Sequence, residues 1–114
     1  MVTAPPPALL PAAKICGASV VDGAGEGLGA IIDLMIDTAT GAISYAVLSY
    51  GGLLGVGETL FAVPWTCFRM DAEGNRLVLD VPRDQLDAMD GFDKDAWPVA
   101  PDPIWAELAG RQKI

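Results

Sequence analysis

The chain has no histidine and only 2 cysteines among its 114 residues. The first absence removes the commonest general base and the commonest metal ligand together. Cys16 and Cys67 are too far apart to form a CxxC, which excludes a thiolate zinc site and a thioredoxin-type motif. They are read as reduced, buried thiols. Cations are scarce too: 7 Lys and Arg against 15 Asp and Glu leave a net charge of −8. Nucleic-acid affinity comes from Lys and Arg neutralising phosphates, so a phosphate-rich partner or an anionic lipid surface is disfavoured. Neutral or basic protein surfaces remain.

No apolar run reaches the roughly 18 to 20 residues needed to cross a bilayer, because Asp33, Asp37, Ser44 and Glu58 interrupt the richest region. The opening MVTAPPPALLPAAK has no basic stretch, and Pro5, Pro6, Pro7 and Pro11 break any apolar one, so it does not read as a signal peptide. Residues 1–13 are expected to be a flexible lead-in, and the protein to be soluble and cytoplasmic.

What is present is a series of short strand patterns. In LGAIIDLMID, Leu28, Ala30, Ile32, Leu34 and Ile36 alternate with Asp33 and Asp37, although Ile31 and Met35 fall on the nominally wet face. Asp37 to Gly41, DTATG, supplies a hairpin turn into ISYAVLSY, a run rich in β-branched and aromatic residues. Upstream, ASVVDGAGEG gives a first strand and a Gly-rich turn; downstream, TLFAV is a strand that Pro64 ends or leaves at an edge. Gly74 and Asn75 offer another hairpin turn before RLVLDV. The pattern predicts a small antiparallel barrel or sandwich.

After Val81 the period changes. PRDQLDAMDGF predicts a helical turn or two begun by Pro82, with Leu86 and Met89 on one side and Gly91 as a stop. DPIWAELAGRQKI predicts an amphipathic helix with Asp102 as N-cap and Ile104, Trp105 and Leu108 on one side.

Together, GEGLGAIIDLMIDTATGAISYAVLSYGGLLGVGETLFAVPW and GFDKDAWP resemble the PRC-barrel family, named after the cytoplasmic domain of the photosynthetic reaction-centre H subunit. The resemblance spans residues 14–98 and leaves 99–114 as a C-terminal helical tail. It implies an all-β fold, a small, strongly bent antiparallel barrel of about six strands with short helical segments at its C-terminal end. Among relatives, the reaction-centre subunit contacts a membrane electron-transfer complex, and a ribosome-maturation factor carries a related barrel that docks on ribosomal components. Both are adaptor roles, and they reach this chain by analogy of fold.

Four patterns invite a chemical reading. In YGGLLGVGETLFAVPW, Gly52, Gly57 and Thr59 keep the spacing of a phosphate-binding P-loop, but Glu58 stands where the lysine belongs and a strand follows where a helix should. Gly51, Gly52, Gly55 and Gly57 are read instead as backbone freedom for a loop between strands. Asp84, Asp87, Asp90, Asp93 and Asp95 lack the order of a calcium loop and read as a solvated face, with Phe92 and Trp97 anchoring the segment. Asp33 and Asp37 read as the wet side of a strand rather than a carboxylate pair. Tyr45 and Trp65 read as core, so Trp65→Ala is expected to cost about 3–5 kcal/mol.

These readings give no catalytic residue, no metal ligand and no cofactor. The expected function is a non-enzymatic interaction or adaptor module, self-associating as a homodimer or meeting a neutral or basic protein. The candidate surface is Leu53, Leu54 and Val56 in the Gly-rich loop with Ile104, Trp105 and Leu108 in the tail. The alternatives are a small-ligand sensor, holding its ligand at the barrel mouth or between subunits, and a ribosome-maturation type of accessory factor docking on a basic protein.

Overall fold

The computed structural model describes residues 9–51, 57–71 and 76–110. A short helix α1 (Ala12–Ile15) starts within the residues read as a lead-in and drops Ile15 into the core. Six strands follow: β1 (Ser19–Val21), β2 (Gly27–Ile36), β3 (Ile43–Tyr50), β4 (Thr59–Pro64), β5 (Phe68–Met70) and β6 (Arg76–Leu79). Helices α2 (Arg83–Ala88) and α3 (Ile104–Gly110) complete the described chain.

The turns form for local reasons. In the β1–β2 turn Asp22 Oδ1 accepts from the amides of Ala24 and Glu26, both at 2.9 Å. In the β2–β3 turn Asp37 Oδ1 accepts from Ala39 N at 2.9 Å, and Gly41 closes the loop at φ +79°. Gly74 and Asn75 lie outside the described residues. On either side of them Asp71 and Arg76 join by a backbone hydrogen bond of 3.2 Å and an ion pair of 3.1 Å.

The strands form one sheet in the order β4-β3-β2-β1-β6-β5. Four pairings are antiparallel; β1 and β6 run parallel. The expected all-β fold of about six bent strands is present, with the one parallel pairing as a correction to its antiparallel description, and the reason lies in one connection. Each hairpin reverses the chain, but β4 passes into β5 through the single 3-10 turn Trp65–Cys67 and keeps its direction. One missing reversal brings β6 back parallel to β1. The same turn links the two ends of the sheet with only 3 residues, a reach of about 3.5 Å per residue, so the sheet must curl until its edges approach.

The main core fills the inside of the curl with Val20, Ile31, Leu48, Phe61, Val63, Leu77 and Leu79, all buried. The expected face of β2 is buried only in part: Leu28 lies in the core and Leu34 packs against it, but Ile32 and Ile36 do not. A register shift between Ile31 and Asp33 leaves Ile32 without an opposite residue on β3, and the faces exchange there. Ile31 is therefore fully buried, whereas Ile32 is 46% and Ile36 54% exposed. Tyr45, Val47, Leu60 and Ala62 form a smaller cluster on the other face of the sheet.

Candidate functional site

After α2 the chain turns back across β4. Phe92 N–H donates to Leu60 O at 2.9 Å, an isolated antiparallel bridge on the outer edge of that strand. Gly91 permits the approach, because a Cβ there would overlap the Leu60 carbonyl and the Thr59 methyl group. Asp93 then shapes a turn, accepting from Asp95 N at 2.8 Å, and Trp97 Nε1 donates to Lys94 O at 2.7 Å. Phe92 and Trp97 meet edge to face at 5.6 Å and cover the small cluster. The Tyr45 hydroxyl donates to Pro98 O at 2.7 Å and holds the far end of this strap.

The chain continues to α3, where Asp102 Oδ1 accepts from Ile104 N at 3.0 Å and so occupies the capping role that its sequence position suggests. Trp105 enters the main core edge-on to Phe61, with ring centroids 5.6 Å apart. The Cys67 thiol donates to Trp105 O at 3.7 Å. Phe61 also meets Tyr50, with ring centroids 5.9 Å apart; the Tyr50 hydroxyl donates to Asp87, and Arg83 lies over the Tyr50 ring and donates to Gly27 O at 2.6 Å. Burial, followed by the bond to Asp87, raises the Tyr50 pKa above the ordinary tyrosine range.

Between strap and α3 lies a cleft of about 400 Å³. Its floor is Leu60, Phe61 and Ala62 of β4; its walls include Met89, Phe92, Pro101 and Trp105. Among the described residues only two charged ones line it, Asp90 and Asp102, both exposed carboxylates.

The backbone of β4 adds a polar feature to this apolar floor. Along an antiparallel strand the N–H and C=O groups of alternate residues point to the same side. Leu60 points outward, since its carbonyl accepts from Phe92, and Pro64 has no N–H to give the β3 ladder. Ala62 lies between them at the same parity, so its N–H and C=O point away from β3 toward the cleft. Among the described residues, neither group has a hydrogen-bonding partner. The strap bonds the edge at Leu60 and leaves it unbonded two residues on, at Ala62, which is 8% exposed.

A family model for the PRC-barrel domain matches residues 9–86, well over half of the chain. The chain belongs to the PRC-barrel domain family. No curated protein matches it. The matched region ends within α2, so the PRC barrel supplies the floor of the cleft, and the walls from Met89 to Trp105 lie beyond it.

The PRC barrel distributes the residues singled out in the sequence unevenly. Leu53, Leu54, Val56, Gly52 and Gly55 lie outside the described residues. Gly51 and Gly57, on either side of them, both have left-handed backbones, at φ +68° and +79°. Glu58 accepts from Ser49 Oγ at 2.7 Å, and Thr59 opens a strand, so the arrangement is not that of a P-loop. Trp105 is a correction: it was expected on an interaction surface and is 2% exposed, because the strap and α3 close over Phe61. Ile104 remains 38% exposed, and Leu108 is half-buried against the core.

Tyr45 is buried as expected, but Trp65 is only half-buried beside Phe68. Asp33 and Asp37 each accept from a nearby backbone amide, at 2.8 and 2.9 Å, and do not act as a pair. Among the described residues no group of 3 or more His, Cys, Asp or Glu could hold a metal ion, and no helix is long and apolar enough to cross a membrane. Sequence reasoning missed Ala62 and the placing of Asp90 beside it. The one available signal was Pro64, which sets the parity of β4.

Proposed function

We propose that this PRC-barrel protein is a non-enzymatic interaction module that engages another protein through the cleft beside β4. The observation that carries the reading is the unpaired backbone donor and acceptor of Ala62 among the described residues, set in an apolar floor between two walls of the same chain. An unpaired strand edge is a template for another polypeptide, and natural proteins ordinarily cover or blunt it. The side chains around it support binding better than chemistry. Met89, Phe92, Pro101 and Trp105 are apolar, and among the described residues that line the cleft the two carboxylates are joined by no base, nucleophile or cation. Self-association through the Gly-rich loop is part of the same proposal, with Leu53, Leu54 and Val56 as the residues to alter.

A small-ligand sensor is a second reading favoured by one observation, the cleft volume of about 400 Å³, which falls within the range of small-molecule sites. Such a ligand would leave the paired requirement of the Ala62 donor and acceptor to chance, whereas a peptide backbone meets both.

The test places a photo-crosslinking amino acid at Met89, on the cleft wall, and at Ala24, in the β1–β2 turn, and irradiates cells producing each variant. The module reading expects discrete protein adducts from position 89 and none from position 24. The mass of the adduct separates a second copy from a foreign protein. An absence of adducts at position 89 in a folded variant refutes the reading.

A further inference from the structure

We infer that the cleft takes an extended, cationic segment of a partner protein, added as a strand against Ala62. The inference rests on the interaction-module reading and gives its partner a chemistry. Three observations converge on it. First, Ala62 presents one donor and one acceptor on the same side of β4, the pair that an added strand satisfies through a single residue. Second, the strap already makes this kind of contact at Leu60 through Phe92, so the same edge of β4 takes an antiparallel neighbour two residues away. Third, the polar rim of the cleft is of one sign.

That third point selects the partner. Asp90 and Asp102 line the cleft, and among the described residues no Lys or Arg does. Asp93 and Asp95 stand on the flanking segment, with Lys94 between them. Asp102 uses one oxygen to cap α3 and retains the other. An incoming segment that alternates apolar residues with Lys or Arg would set its apolar side chains toward Met89 and Trp105 and its cations toward the carboxylates, since neighbouring side chains on a strand project to opposite faces. A second copy of this chain is a poor occupant by the same arithmetic, because it brings a net charge of −8 to an acidic site.

The probe is a short capped peptide alternating lysine and valine, titrated into the isotopically labelled full chain and followed by amide and indole NMR shifts. Two controls accompany it: the same peptide with glutamate for lysine, and one N-methylated at the backbone positions that would donate. The expected result is a saturable shift of the Ala62 amide and the Trp105 indole. Binding should weaken about tenfold or more with either control peptide. Asp90→Lys should weaken it about threefold or more and reduce its salt dependence. Ala62→Pro should abolish it while leaving the β3 ladder intact, because that N–H is not a ladder donor. If Ala62→Pro does not fold, the N-methylated peptide and Asp90→Lys carry the same test.

Absence of shifts at about 1 mM peptide overturns the inference, as do equal binding of the glutamate peptide or shifts confined to residues away from β4. So does an Ala62 amide already protected from exchange in the free protein. Protection that grows with protein concentration would assign the edge to a second copy, and protection at every dilution to a segment of the same chain. Adducts at position 89 combined with no peptide binding would leave the interaction module standing and remove only the cationic strand.

Discussion

Trp105→Ala tests whether the tail is part of the folded unit. The indole is 2% exposed, meets Phe61 edge to face at 5.6 Å, and belongs to a residue whose carbonyl accepts from the Cys67 thiol. A buried aromatic of this size removes about 150–250 Å² from water, worth about 4–6 kcal/mol at about 25 cal/mol per Å². Alanine retains a small part of that area. The helix α3, with 7 residues, can also settle toward the space vacated, so the expected loss is about 3–5 kcal/mol. That is a large share of the roughly 5–15 kcal/mol that holds a typical domain together. Urea unfolding followed by far-UV circular dichroism measures it as a lower midpoint at unchanged slope. A loss below about 1 kcal/mol would refute the reasoning, since it would mean that the tail contributes no core. A normal midpoint with a shallower slope would show a related failure, a barrel that unfolds alone with α3 already detached.

The half-buried position of Trp65 lowers its expected cost: Trp65→Ala should lose about 2 kcal/mol in the same assay, and a loss as large as that of Trp105→Ala would contradict the burial described here. Gly29→Ala should cost about 1–3 kcal/mol, because a Cβ there would overlap the Ser49 carbonyl oxygen; a thermal midpoint equal to that of the native chain would show that β2 and β3 can part without penalty. Burial raises the pKa of Tyr45, and burial with the Asp87 hydrogen bond raises that of Tyr50, so the native state holds both phenolic protons more tightly than the unfolded chain does. This stabilisation is present in full below the unfolded tyrosine value of about 10 and is lost as pH climbs through the raised folded values. Stability should fall across that alkaline window, and Tyr45→Phe with Tyr50→Phe should flatten the fall; an identical pH profile for the double variant would exclude the two tyrosines as its cause.

The elements that the sequence reveals are those written in local chemistry. Asp37 and Gly41 make the β2–β3 turn with their own side chain and backbone, and Asp102 caps α3 two residues on. The strap is legible for the same reason, since Phe92 and Trp97 are close enough in sequence to meet each other. The alternation of β2 misleads because the extra residue at Ile32 exists only relative to β3, and no periodicity within one strand records a shift in its partner. Trp105 misleads for a similar reason. Its helix is amphipathic whether its apolar side meets a neighbour or its own barrel, and only the path taken between Phe92 and Pro98 decides which.

The cleft is harder to foresee because it arises from a mismatch between two well-formed parts. The PRC barrel ends one side of its sheet at β4, and an edge of 6 residues needs covering along its outward-facing groups at Leu60, Ala62 and Pro64. Pro64 lacks a donor, and Phe92 occupies Leu60. Gly91 brings the strap close enough for that bond, but the turn at Asp93 and the Tyr45 hydrogen bond to Pro98 then carry the chain across the other face of the sheet, where Phe92 and Trp97 cover the cluster that includes Ala62 without bonding its backbone. A residue-by-residue reading sees alanine at position 62 and assigns it nothing. Its backbone matters because the strap covers one outward pair and bypasses the next, while Trp105 closes the far wall and Asp90 and Asp102 set the sign of the rim. The same side chains that fold the tail onto the barrel therefore define both the size and the charge of what can enter beside it.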